Sequence, residues 1–310
     1  MTIVNILKGL KSKKHKYIAK AISSIENNTH LKDDILKNIK PSKNKTIRIG
    51  ITGPPGAGKS SITNQLIKKY RSENKSVCAL LVDPSSPFSS GAVLGDRIRI
   101  NDFHDDNDVF IRSLASRGSK GGLSNDIDYI GDIIEYVGFD IILFETVGVG
   151  QVELDVIELV DSVVVVLVPE SGDDIQIMKA GLIEIADLYV INKSDRKDAD
   201  KLFIILNNML QLIDNKDWIP KIIKTVAINN IGIDNLYSEL MNHENYLIES
   251  NNSSSKNRER YIRKIKNRLI DDFESLFWTT ERLIFLDKKI SDKDFCKKDI
   301  NIIIKELKKI

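Results

Sequence analysis

The sequence predicts an α/β fold, a mostly parallel sheet flanked by helices. Short apolar runs rich in β-branched residues recur between Thr46 and Ile228. Helix-periodic segments separate most of them. A glycine-rich turn, GPPGAGKSS from Gly53 to Ser61, sits between the first run and the first helix that follows it. Near-continuous apolar strands belong to sheets covered on both faces, and regular alternation with helices makes such sheets parallel. Ligands of these folds bind beyond the C-terminal ends of the strands.

The elements follow in order. Ile6, Leu10, Tyr17, Ile18, Ala21, Ile22 and Ile25 recur at helical spacing and predict helix from about Asn5 to Asn27. A second short helix covers Leu31 to Ile39, ended by Pro41 and the polar residues after it. Strands are predicted at TIRIGIT (46–52), SVCALLVD (76–83), DVFIRS (108–113), DIILFETV (140–147), SVVVVLV (162–168), LYVIN (188–192) and IIKTVAI (222–228). Helices are expected after Lys59, Asn125, Asp173, Arg196 and Gly232. The polar stretch SNNSSSKN, Ser250 to Asn257, reads as a linker or loop. Arg258 to Leu276 and Asn301 to Ile310 are charged and helical in pattern. The expected organisation is an N-terminal helical extension over 1–44, a nucleotide domain over 45–248, and a C-terminal helical segment over 249–310 that suits a dimerisation arm.

Composition narrows the classes. A chain of 310 residues buries roughly 75% of its unfolded surface and needs no covalent staples. The formal net charge of +2 argues against a dedicated nucleic-acid binder. Lys11, Lys13 and Lys14 read as a solvated helix face. Cys78 and Cys296 suggest no disulfide framework, which fits a reducing, cytoplasmic setting. No apolar stretch reaches the ~20 residues of a membrane span.

The glycine-rich turn has the spacing Gly-x-x-x-x-Gly-Lys-Ser in a strand–loop–helix context, which makes it a phosphate-binding loop and the fold a P-loop NTPase. Gly53, Gly56 and Gly58 let the backbone curl, with Pro54, Pro55 and Ala57 between them, so that amide N–H groups face phosphate oxygens. Lys59 is expected to bridge the β and γ phosphates, and Ser60 to set its hydroxyl on Mg²⁺, with Ser61 completing the helix start. NKSD, Asn192 to Asp195, follows the strand LYVIN. Asp195 can accept two hydrogen bonds from guanine N1 and N2, which adenine does not offer, so the pair of motifs predicts GTP. Asn192 is expected to brace the neighbouring loop, and the Lys193 stem to cover the base. The strand end at Thr225 supplies Val226, Ala227 and Ile228 as further base contacts, with a backbone N–H for guanine O6.

ETVGVGQ, Glu145 to Gln151, follows another strand. Its Glu-x-x-Gly resembles the Asp-x-x-Gly element of GTPases, with Glu145 near Mg²⁺ and Gly148 sensing the γ-phosphate. Val149 stands where a water-orienting glutamine would, and Gln151 lies further on. Asp83 reads as a Mg²⁺ ligand or as a turn-starting Asp-Pro, and Asp96 as a ligand or a helix cap. The segment Phe110 to Ser124, with Arg112, Arg117 and Lys120, is a phosphate-sensing switch or a solvated loop. Lys179 faces the nucleotide or solvent.

Taken together, GPPGAGKSS, VDPSSP, LGDRIRI, FIRS…GGLS, ETVGVGQVE, DDIQIMKAGLIEIADLYVINKSD and TVA…GID resemble the MeaB/ArgK family of P-loop GTPases over roughly residues 5–248. The resemblance implies a homodimeric GTPase, with GTP or GDP and Mg²⁺, that assists an adenosylcobalamin-dependent acyl-CoA mutase of the methylmalonyl-CoA type. It would gate cofactor loading and protect or reactivate the mutase. It also implies that Ser60, Asp83, Asp96 and Glu145 form the Mg²⁺ site, and that Lys59, Asp83, Glu145, Gln151 and Lys179 serve hydrolysis or switching. A nickel-insertion GTPase is the alternative, but His15, His30, His104 and His243 are scattered. A small-molecule kinase linked to amino-acid transport stands further off, because NKSD argues for guanine. No nucleic-acid or membrane partner is expected.

Overall fold

The computed structural model describes residues 2–40, 46–83, 103, 105–115, 125–146, 158–170, 185–211, 217–291 and 299–310. The predicted strands form β1 (Ile47–Thr52), β2 (Val77–Asp83), β3 (Val109–Ala115), β4 (Ile141–Thr146), β5 (Ser162–Leu167), β6 (Leu188–Ile191) and β7 (Lys221–Lys224). They make one sheet in the order β3-β2-β4-β1-β5-β6-β7, and every pairing is parallel. This is the P-loop NTPase arrangement, with β1 at the centre and all strand C-termini at one end.

Alternate strand residues build two cores. Ile49, Ile51, Ala79, Leu81, Leu143, Val164 and Val166 face one layer with α4 (Lys59–Ser72) and its neighbour Ile233–Glu249. Cys78, Leu80, Val82, Ile142, Phe144, Val163 and Val165 face the other. That second layer holds α5 (Asn125–Val137) and α6 (Ala199–Gln211), and the helix Ile233–Glu249 is α7. Each side of a parallel strand is therefore dry, as the unbroken apolar runs require. Burial also pushes the Cys78 thiol well above its usual range, so it packs as a small hydrophobe.

The N-terminal lead-in is three helices, α1 (Ile3–Lys11), α2 (His15–Glu26) and α3 (Leu31–Asn38). The single helix expected over Asn5–Asn27 breaks at Ser12–Lys14, where Lys13 adopts φ 49°. The break folds α1 back, so Ile6 and Leu10 join Ile18, Ile22 and Ile25 in one core with α5. Periodicity on both sides was preserved across the turn, so spacing alone did not reveal it. These helices belong to the same compact unit as the sheet, Met1–Lys256, and Asn257–Ile310 form a second unit.

The expected linker Ser250–Asn257 is corrected: helix α8 runs Asn252–Phe277 and takes in most of it. Polar composition without glycine or proline does not stop a helix. The second unit also holds α9 (Thr280–Ile290) and α10 (Ile300–Leu307). Thr279 and Asp299 cap them by accepting backbone N–H groups of Arg282 and Asn301. Arg282 donates to the carbonyls of Phe277 and Leu307, which ties the three helices together.

One polar cluster lies inside the second layer. Arg48, near the start of β1, is 1% exposed. Its guanidinium donates to Asp128 (3.0 Å), Asp132 (2.9 Å) and Glu135 (2.7 Å) of α5. Gly131 lies on the same helix face, and a Cβ there would sit 3.0 Å from the guanidinium. Desolvation works against the charge, but the three carboxylates hold Arg48 firmly protonated. Meanwhile its backbone N–H donates to Asp161 beside β5 (2.9 Å). Breaking a buried pair by removing one partner costs about 3–5 kcal/mol. Arg48→Met is therefore expected to lower the free energy of unfolding measured in urea by that amount, and Arg48→Lys to recover little, because a lysine cannot serve three carboxylates in a planar fork.

Candidate functional site

The site is assembled at the C-terminal ends of β1, β4 and β6 and the turn after β7. β1 ends in the phosphate loop, which feeds directly into α4. Gly53 has φ 139°, and a Cβ there would lie 2.1 Å from the Val166 carbonyl oxygen, so the loop can leave the sheet only with glycine at this position. Gly58, at φ 88°, is the residue before α4; a Cβ there would meet the Asn192 amide at 2.3 Å. Pro55 and Gly56 are exposed while Gly53, Pro54, Ala57 and Lys59 are buried, so the loop presents its crest to solvent from a fixed base. The Lys59 ammonium donates to the carbonyls of Gly53 (2.7 Å) and Pro54 (2.9 Å), within the curl of the loop.

Asn192 connects the loops. Its side-chain N–H₂ donates to the Ala57 carbonyl of the phosphate loop (2.9 Å). Its side-chain oxygen accepts from the Thr225 hydroxyl (3.1 Å) and the Ala227 N–H (3.1 Å). One buried amide thus joins the phosphate loop, the NKSD turn and the turn after β7. The Ser194 N–H adds a bond to the Thr225 carbonyl (3.0 Å). Lys193 takes φ 55° and reaches back, its ammonium donating to the Gly56 carbonyl (2.8 Å), so its stem spans from one motif to the other. Asp195 lies exposed in the turn beyond. The Ala227 N–H is directed at Asn192, and Ile228 beside it is exposed.

Glu145, at the end of β4, is buried beneath the start of α4. Its two carboxylate oxygens accept from the Ser60 hydroxyl (2.6 Å) and the Thr63 hydroxyl (2.6 Å). Thr63 was missed in the sequence because it falls past the motif; its position one helical turn after Lys59 and Ser60 was the available signal. At the adjoining strand ends, Thr146 donates to Thr52 (3.0 Å). Asp83 closes β2, two residues beyond Leu81, which is in register with Glu145, so its backbone is at the same end of the sheet. Asp96, Gly148, Gln151 and Lys179, with Arg117 and Lys120, lie outside the described residues.

Arg112 is placed elsewhere. It donates to Glu26 (2.9 Å) and Ser23 (3.2 Å) of α2 and so fastens an N-terminal helix to β3. The switch reading of Phe110–Ser124 does not hold for this residue, since Phe110–Ala115 is regular strand. The histidines His15 and His243 are engaged within the fold. His15 pairs with the Asn107 carbonyl (3.1 Å). His243 is buried between Ser162 (2.7 Å) and Asp187 (3.3 Å). Burial works to raise the Asp187 carboxyl, but the His243 hydrogen bond and the nearby Lys256 charge hold it below its usual range.

A phosphate loop joined by one amide to an NKSD turn is the arrangement of a guanine-nucleotide site, and comparison with known proteins agrees. The family described as "Methylmalonyl Co-A mutase-associated GTPase MeaB" matches residues 18–282. The chain belongs to the MeaB family of P-loop GTPases. A protein of Pyrococcus abyssi is 42% identical over 268 residues, covering 85% of this chain and 83% of its own. The GTPase ArgK of Escherichia coli is 33% identical over 258 residues, 80% of this chain and 78% of its own. A mouse protein named "Methylmalonic aciduria type A homolog, mitochondrial" is 32% identical over 254 residues, 79% of this chain and 61% of its own length. Among solved structures, one titled "Crystal structure of LAO/AO transport system kinase" superposes with a TM-score of 0.72, covering 99% of this chain and 96% of its own at 22% identity, which speaks to the fold. Like its family, this chain is a GTPase that binds guanine nucleotides. Among the described residues, no helix is long and apolar enough to cross a membrane.

The Asn192 junction has a measurable consequence. Asn192→Ala leaves the Ala57 carbonyl and the Ala227 N–H without this partner, which costs about 1–3 kcal/mol for buried groups. Thermal unfolding should move down accordingly. The affinity for GDP, followed with a fluorescent analogue, should fall at least tenfold because both loops lose their brace.

Proposed function

We propose that this GTPase acts as a chaperone for an adenosylcobalamin-dependent acyl-CoA mutase, gating the loading of its cofactor and protecting or reactivating the enzyme. The observation that carries this reading is the family match over residues 18–282, whose description names association with methylmalonyl-CoA mutase. In this reading the GTPase is a timer. Among the described residues of the first unit the arginines are held in ion pairs: Arg48 with α5, Arg71 with Asp106, Arg112 with Glu26, and Arg196 with Glu170. A partner that orders the switch segments raises the rate of hydrolysis.

In this reading Lys59 and the loop amides hold the phosphates, and Asp195 selects guanine with Lys193 covering the base and Val226, Ala227 and Ile228 lining it. Mg²⁺ fits the donors present. Ser60 and Glu145 are hard oxygen ligands 2.6 Å apart at the head of α4. Asp83 and Asp96 complete the set. The metal would neutralise charge on the β and γ phosphates. Thr63 holds the second Glu145 oxygen and so sets the carboxylate's orientation. Gln151 and Lys179 are assigned to the switch. GTP and GDP are the exchanged ligands, and the setting is cytoplasmic.

The active form is proposed to be a homodimer built through the second unit. Ile262, Ile265, Leu269, Phe273 and Leu276 recur at helical spacing along α8, and all are exposed. An apolar stripe of that length is covered in a stable protein.

Two measurements test the reading. Single-turnover GTP hydrolysis is expected to accelerate at least tenfold when an adenosylcobalamin-dependent mutase is added; no response to any such mutase would count decisively against the chaperone role. Asp195→Ala should abolish the preference for GDP over ADP with no change in thermal stability, since the carboxylate is exposed; a retained preference would refute the base assignment.

A further inference from the structure

The turn after β7, assigned to the base, is short and closed. Val226 and Ile231 exchange backbone hydrogen bonds at its neck (3.1 and 3.3 Å), and Asn230, at φ 58°, brings the chain back. Ala227 is the first residue inside the neck and is 2% exposed. Two other elements grip it. Its N–H donates to the Asn192 side-chain oxygen, which belongs to the NKSD turn (3.1 Å). Its carbonyl accepts from the side-chain amide of Gln65, which belongs to α4 (2.9 Å). The other lone pair of that carbonyl is taken by the Asn230 N–H (3.2 Å).

Helix spacing puts Gln65 there. It lies four residues after Ser61, one turn further along the same face of α4. Thr63, Leu66 and Ile67 beside it point into the core, whereas Gln65 is half-buried at the seam with the turn. The two peptide groups flanking Ala227 are thus both held, one by Asn192 and one by Gln65. A peptide group is planar, so holding the Ala227 carbonyl also orients the Ile228 end of that group. A turn held in advance is not ordered at the expense of binding, and a loosened one subtracts its ordering from the affinity of whatever it receives.

We propose that Gln65 is a positioning residue for guanine recognition: its amide, by holding the Ala227 carbonyl, keeps the turn after β7 in the conformation that receives the base. It acts through Ala227 and touches no part of the nucleotide. This inference rests on the assignment of that turn to the base. The helix whose head serves the phosphates then also sets the base loop, through a side chain outside both sequence motifs.

The test is equilibrium binding of GDP and ADP to the full chain and to Gln65→Met and Gln65→Glu, by competition with a fluorescent GDP analogue. Methionine matches glutamine in length, and ionised glutamate matches it in shape, but neither has an N–H to donate. Both variants should bind GDP about fivefold more weakly, the worth of one hydrogen bond. ADP affinity should stay unchanged, so the preference for GDP falls by the same factor. Unchanged GDP affinity in Gln65→Met overturns the proposal. Full affinity in Gln65→Glu also overturns it, because donation is then not what matters. Equal weakening of GDP and ADP overturns it too, since that marks a role in the fold of α4. Hydrogen exchange of the segment 225–231 tests the base assignment separately. GDP should slow exchange there in the unsubstituted protein, and the free Gln65→Met protein should exchange faster than the free unsubstituted one. No slowing by GDP overturns the assignment of the turn to the base. Slowing by GDP together with unchanged affinity in Gln65→Met overturns the role of Gln65 alone.

Discussion

The site depends on one amide group. Asn192 donates to the phosphate loop and accepts from the turn after β7, while its own backbone begins the NKSD turn. Three loops that are far apart in sequence are thereby held at fixed separation, as a ligand that touches phosphate loop and base loop together demands. A side chain with both donors and an acceptor is needed for this, and aspartate or leucine of similar size offers only part of it. The approach is so close that Gly58 cannot carry a Cβ. The glycine that curls the phosphate loop is therefore also the glycine that admits Asn192.

That junction works because the strands beneath it are stiff. β1 carries the phosphate loop at its C-terminal end, and near its start it holds Arg48 in a buried cluster of carboxylates from α5. β4 brings Glu145 to the same end as the loop, in register with Ile51. A parallel sheet places all these ends together without any local sequence relation between them. The hydroxyls of Ser60 and Thr63 then bind the Glu145 carboxylate, which couples the ETVGVGQ strand to the head of α4. Motion of that strand end and motion of the nucleotide helix are linked through two short hydrogen bonds.

Much of this was legible in the sequence. The strand positions were, because residues buried on both faces must be apolar without interruption. The phosphate loop and NKSD were legible as well, because each is a local chemical device with its own spacing. Other features were not. The break between α1 and α2 was hidden because helical periodicity continued on both sides of Lys13. The start of α8 was hidden because serine and asparagine are read as loop formers, although in a row without glycine they follow the helix they adjoin. Arg112 invited a phosphate role by its place in a motif, but its partner Glu26 lies in a helix whose position no local pattern gives. Arg48 carries no local signal of its inward direction, since an arginine in a strand ordinarily points to solvent.

Local sequence carried the classes of chemistry: a mostly parallel sheet from apolar runs, phosphate binding from glycine spacing, and guanine-nucleotide binding from the NKSD motif. Those are decided by residues close together in the chain, where spacing is the geometry. Only the tertiary structure decided which groups meet. It set Thr63 against Glu145, turned the Asn192 amide to the phosphate loop and the turn after β7, and directed Arg48 inward to α5 and Arg112 to α2. The physical reason is that each of these contacts joins a side chain to a partner on another element. The register of strands and the packing of helices, which arise from the whole core, determine whether the two come within hydrogen-bond distance.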